Sequence, residues 1–126
     1  MTAPRFEAVP PAAGPRVQGF SGRDFVVDGR TYAALLLTPE VARAWSPPAL
    51  VELDAAVLIA ELDLDRVPEF LLLGTGAAMS FPPRAFRREM EERGIGVEAM
   101  DSRAAARTWG LLRGEGRWIA AALMPL

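Results

Sequence analysis

The sequence predicts an α/β fold in a single domain, and three observations carry that prediction. A length of 126 residues suits one domain and is short for two. Two β-rich runs stand on either side of Asp28-Gly29 in the N-terminal half. From Phe70 onward, apolar runs alternate with helical patterns in the order strand, helix, strand, helix, strand.

Each element has a local cause. Residues 1–15 carry Pro4, Pro10, Pro11 and Pro15 among Ala and Gly. Proline fixes φ and supplies no backbone donor, so this stretch is expected to be a flexible tail ahead of a domain over residues 16–126. Val17 and Phe20 flank Gly19, and Phe25-Val26-Val27 runs into Asp28-Gly29. Thr31 opens the second run, which ends in Leu35-Leu36-Leu37 before Thr38-Pro39. An Asp-Gly pair between two such runs predicts an N-terminal β-hairpin. Residues 41–45 form a further short strand, stopped by Pro47-Pro48.

Asp54 is a suitable N-cap for a helix to Leu62, with Val57, Leu58 and Leu62 at helical spacing. Phe70-Leu71-Leu72-Leu73 is continuous apolar sequence between Pro68 and Gly74, the pattern of a strand covered on both faces. Pro82 and Pro83 can open a helix over residues 84–93, closed by Gly94. Residues 95–100 read as a second inner strand, parallel to the first because a helix crosses between them. Asp101 or Ser102 then caps an Ala- and Leu-rich helix to about Arg113, stopped by Gly114 and Gly116. Residues 118–123 are the last strand.

Composition excludes several classes of chemistry. The sequence has no Cys and therefore no disulfide, thiolate nucleophile or Cys-ligated metal. It has no His, the usual general base and commonest metal ligand. All 14 basic residues are Arg, so neither a P-loop Lys nor a Schiff-base amine exists. A net charge of −2 gives no general attraction to nucleic acid. The longest apolar run, residues 118–124, falls well below the ~18 residues of a spanning helix. The chain is expected to be a cytoplasmic bacterial protein without a cofactor, and not an enzyme.

Two segments hold the candidate site residues. Leu73-Gly74-Thr75-Gly76 leaves a strand into a Gly-rich turn, where a backbone can approach a phosphate. The third position of the dinucleotide fingerprint is Met79, so a tight structural turn is the competing account. Asp101-Ser102-Arg103 follows the next parallel strand and would sit beside that turn. Arg103 and Arg107 are spaced i,i+4 on one helix face and could clamp an anion. Equally, Asp101 could simply cap the helix while both Arg residues meet solvent. Trp109 and Trp118 are expected in the core, and Trp45 partly exposed beside its prolines.

As strings, Pro68-Glu69-Phe70-Leu71-Leu72-Leu73-Gly74-Thr75-Gly76 and Gly94-Ile95-Gly96-Val97-Glu98-Ala99-Met100-Asp101-Ser102-Arg103 resemble the two signatures of the respiratory complex I assembly factor 3 family and its bacterial and archaeal homologues. Gly114-Glu115-Gly116-Arg117 and Ala120-Ala121-Ala122-Leu123 resemble its ending; the Asp28-Gly29 hairpin, Leu36-Leu37-Thr38-Pro39 and Trp45 resemble its beginning. Ser102 stands where that family usually has Thr, and Trp109-Gly110 where it tends to have Tyr-Asn. The resemblance implies a three-layer domain with a mixed central sheet. It also implies a non-catalytic module that binds a protein partner, such as a respiratory complex subunit, and meets the inner membrane only through that partner. It carries over no catalytic residue, only the pattern at Gly74, Gly76, Asp101, Arg103 and Arg107. The alternative function is a small-anion or nucleotide-like ligand site in the crevice of Gly74, Thr75, Gly76, Asp101, Ser102, Arg103 and Arg107.

Overall fold

A computed structural model describes residues 13–126 of the chain. Most of the expected tail, residues 1–12, lies outside the described residues. Its last three residues are tied to the domain: Arg113 Nη2 donates to the Ala13 carbonyl at 3.1 Å, and Trp109 Nε1 donates to that of Pro15 at 2.9 Å.

The first three strands are β1 (Gly19–Ser21), β2 (Asp24–Val27) and β3 (Arg30–Tyr32), a small antiparallel sheet in that order. Asp28 and Gly29 join β2 to β3 with φ of 50° and 77°. Two left-handed residues in a two-residue loop match the right-handed twist of the strands they connect. The second arm of the hairpin is shorter than the sequence predicts. The chain bends at Ala33-Ala34, and β4 (Leu35–Leu37) leaves for another sheet. The reason is burial: β3 is largely exposed, whereas all three leucines of β4 are buried and require cover on both faces.

That second sheet continues with β5 (Ala42–Ala44), β6 (Phe70–Gly74), β7 (Gly96–Met100) and β8 (Ala120–Leu123), in the order β5-β4-β8-β6-β7. β5, β4 and β8 pair antiparallel; β8, β6 and β7 pair parallel. The sheet is therefore mixed, and β6 and β7 are parallel neighbours as expected. β7 is nevertheless an edge strand and not the inner one its apolar residues suggested. Its Glu98 is exposed, and burying that carboxylate unpaired would be costly. β8, buried at every residue, takes the inner place between β4 and β6.

Side-chain alternation along the inner strands builds two cores. Leu36, Leu71, Leu73, Ala120 and Ala122 face helices α1 (Ala55–Leu62) and α2 (Arg84–Glu92), which supply Leu58, Leu62, Phe86 and Met90. On the other face, Leu35, Leu37, Leu72, Ala121 and Leu123 meet Trp109 of α3 (Ser102–Gly114) and Phe25 and Val27 of the small sheet. The result is three layers: two helices, the mixed sheet, then α3 with the small sheet. The alanines of β8 share these cores with the large rings of Phe86 and Trp109, and small and large side chains together fill an interior.

Helix ends follow the sequence closely. Asp54 Oδ1 accepts from the Val57 N–H at 3.0 Å, and Asp101 Oδ1 from the Ala104 N–H at 2.9 Å. Gly94, with φ of 78°, turns the chain out of α2. Of the tryptophans, Trp109 is fully buried and Trp45 is only 7% exposed, deeper than its proline neighbours suggested. Trp118 is half-buried, and the guanidinium groups of Arg66 and Arg113 lie 4.6 and 6.0 Å from its ring centroid. Burial, and then the charge of Arg16, push the Arg113 pKa below the ordinary arginine value.

Candidate functional site

Parallel pairing brings the ends of β6 and β7 together with the start of α3. Thr75 donates its N–H to the Met100 carbonyl at 2.9 Å. Ser102 donates its N–H to Gly76 O at 2.8 Å, and the Gly76 N–H returns a bond to Ser102 Oγ at 2.9 Å. The Ser102 hydroxyl then donates to the Met124 carbonyl at 2.8 Å, while Met124 N–H bonds Gly74 O at 3.0 Å. One fully buried serine thus ties three strand ends into a closed polar network.

Of the residues singled out in the sequence, Gly74, Thr75, Gly76, Asp101 and Ser102 meet here. Their side-chain polar groups are engaged within the fold: the Asp101 carboxylate caps α3, and the Ser102 hydroxyl makes one bond as donor and one as acceptor. A Cβ at Gly74 would lie 2.7 Å from Ser102 Oγ, 2.9 Å from Ser102 Cα and 3.0 Å from Leu123 Cδ2, so the space above this glycine is filled. Arg103 and Arg107 are exposed on α3. The Arg103 guanidinium lies 5.2 Å from the ring centroid of Phe20 on β1, which directs it to the small sheet. Among the described residues, no group of three His, Cys, Asp or Glu side chains could hold a metal ion.

The closed network lifts the following loop into solvent. Thr75 Oγ1 donates to the Ala78 carbonyl at 2.7 Å and accepts from the Ser80 N–H at 2.9 Å, pinning residues 75–80 into one shape. Gly76, with φ of 104°, makes the turn possible. Beyond it, residues 77–81 are all exposed, with Met79 at 44% and Phe81 at 79%. Buried Pro82 and Phe86 anchor the far end. Met79 and Phe81 thus stand two residues apart on one hydrogen-bonded loop, both open to solvent. No acidic residue occurs between Phe70 and Arg88. Sequence reasoning missed Met79 and Phe81, though one signal was available: apolar residues confined to a loop bounded by Gly76 and Pro82.

Comparison with known proteins places this chain among relatives. The family model "Protein of unknown function (DUF498/DUF598)" matches residues 17–124. The chain is 30% identical over 115 residues to NADH dehydrogenase (ubiquinone) 1 alpha subcomplex assembly factor 3 of Danio rerio, covering 90% of this chain and 66% of that protein. The chain thus spans slightly less than two thirds of that relative's length. It is 32% identical over 112 residues to an uncharacterized protein of Rhodobacter capsulatus, covering 87% of this chain and 84% of the other. A crystal structure of a protein from Bordetella parapertussis superposes with a TM-score of 0.81 at 32% identity, covering 93% of this chain and 100% of that one.

Proposed function

This chain belongs to the family of proteins of unknown function DUF498/DUF598, and we propose that it is a non-catalytic protein-binding module assisting assembly of a respiratory NADH:quinone oxidoreductase-type membrane complex. The Danio rerio relative is named for assembly of the NADH dehydrogenase, and assembly requires recognition of a protein surface. The observation that carries the proposal is the loop of residues 77–81, which offers Met79 and Phe81 to solvent on a backbone fixed by Thr75 and Ser102. A preorganised apolar knob loses little conformational entropy on docking, which is how a small surface gains affinity. The strand-end crevice favours this reading over an anion or nucleotide site, because Ser102 and Leu123 already occupy the approach to Gly74. Among the described residues no helix is long and apolar enough to cross a membrane.

The test is the double variant Met79→Asp/Phe81→Asp, expressed in the native host and compared with the wild type by chemical cross-linking and capture. Both residues are exposed, so folding stability should change by no more than about 0.5 kcal/mol. An interface anchor is worth about 2 kcal/mol or more, so capture of NADH:quinone oxidoreductase subunits should weaken by roughly 30-fold. Undiminished capture by the variant would remove the loop from the proposal.

A further inference from the structure

Resting on the protein-binding reading, we infer that a second surface, the groove beside Trp45, takes a Lys or Arg side chain flanked by apolar residues from a partner protein. The groove measures about 320 Å³ and lies between residues 45–48 after β5, the 3₁₀ turn Leu50–Glu52 and α1. Its floor is apolar: Trp45, Leu53 and Leu58, each no more than 7% exposed. Val57 stands in its wall, 56% exposed.

Every charged residue lining it is acidic. Among the described residues, Glu52, Asp54 and Glu61 face the groove and no Arg does. Glu61 is also held in place, because its Oε2 accepts the Trp45 indole N–H at 3.1 Å. Arg43, from neighbouring β5, is engaged elsewhere: it donates to the Glu61 and Leu62 carbonyls and lies 3.8 Å from Asp63. The groove therefore combines an indole and aliphatic floor with a rim of negative charge that its own lining does not neutralise. A cation on an alkyl stem matches both parts, the head meeting carboxylates and the stem lying on Trp45 and Val57. A volume at the small end for a binding site suits one or two side chains of an extended segment, not a second folded surface. The chain's own Arg5-Phe6 has the same chemistry, and so does a second copy of the chain. Both are competing occupants that the experiment separates.

The probe is an acetylated Leu-Arg-Leu amide, compared with its Leu-Glu-Leu counterpart and followed by the Trp45 indole N–H and Val57 amide signals in NMR spectra of the full chain. The Arg peptide should shift both signals and bind at least 5-fold more tightly than the Glu peptide. Glu52→Gln/Glu61→Gln should erase about 5-fold of that, as expected when exposed ion pairs are lost. Glutamine at position 61 still accepts the indole proton, so the floor stays intact. Equal binding of the two peptides, or binding unchanged in the double variant, overturns the inference. So does displacement of the Trp45 signal by Arg5→Ala/Phe6→Ala without peptide, which makes the chain's own segment the occupant. A dimer in sedimentation that Glu61→Gln dissolves overturns it in favour of a second copy. If the peptide result fails while capture still depends on Met79 and Phe81, only the groove falls. If neither surface is needed for capture, the protein-binding reading falls with it.

Discussion

Trp109→Ala should be the most damaging single truncation in this domain, costing about 3–5 kcal/mol in urea unfolding. Trp109 is fully buried in the layer that joins α3 to Leu72, Ala121 and the small sheet. Alanine would leave a cavity in the core cluster that also holds Phe25, Leu35 and Ile119, between strands that are themselves paired. The same substitution removes the Nε1–H bond to the Pro15 carbonyl, one of the bonds that tie residues 13–16 to α3. Domains of this size are stable by only about 5–15 kcal/mol, so the variant should sit near the edge of folding. Trp109→Phe separates the contributions. It keeps most of the apolar volume and loses the donor, and the cost should fall to about 1–2 kcal/mol. A cost below about 1 kcal/mol for Trp109→Ala would mean that α3 does not close the third layer.

Gly74→Ala comes next, with an expected cost of about 1–3 kcal/mol from overpacking. The cause differs from the usual one for a glycine, since Gly74 does not lie in the left-handed region. Its added methyl would fall 2.9 Å from Ser102 Cα, a backbone atom that cannot rotate aside. Gly76→Ala is destabilising for the other reason, a φ of 104°, at about 1 kcal/mol or more. A double-mutant cycle distinguishes them. Ser102→Ala removes the nearer 2.7 Å contact, so it should cost less in the Gly74→Ala background than in the wild type. In the Gly76→Ala background no such steric relief is available. Strict additivity with Gly74→Ala would show that Ser102 does not pack on that glycine.

How far the sequence reaches depends on whether a signal is local. Asp28-Gly29 specifies its turn within two residues, and the structure gives both positive φ values. Asp54 and Asp101 cap their helices because a carboxylate three residues before a free N–H needs no tertiary context. The apolar run from Phe70 and the crossover helix suffice to predict the β6–β7 pairing. What failed is non-local. The apolar residues of β7 do not reveal that β8 takes the inner place, since that depends on a strand 20 residues away in sequence. The switch of sheets between β3 and β4 occurs at two alanines, which give no turn signal. The candidate site was legible as a meeting of strand ends, yet the filling of the space at Gly74 depends on Ser102 and Leu123, distant in sequence. Met79 and Phe81 are apolar residues whose exposure follows only from the hydrogen bonds beneath them.

Deletion of the chromosomal gene in the native host, followed by quantitation of assembled NADH:quinone oxidoreductase in isolated membranes, tests the assembly role most directly. Loss of a factor that binds a subunit during assembly should lower the amount of intact complex and raise its unassembled subunits. Wild-type protein supplied in trans should restore the complex, and Met79→Asp/Phe81→Asp, folded but lacking its apolar knob, should not. Unchanged levels and activity of the complex in the deletion strain would contradict the assembly role.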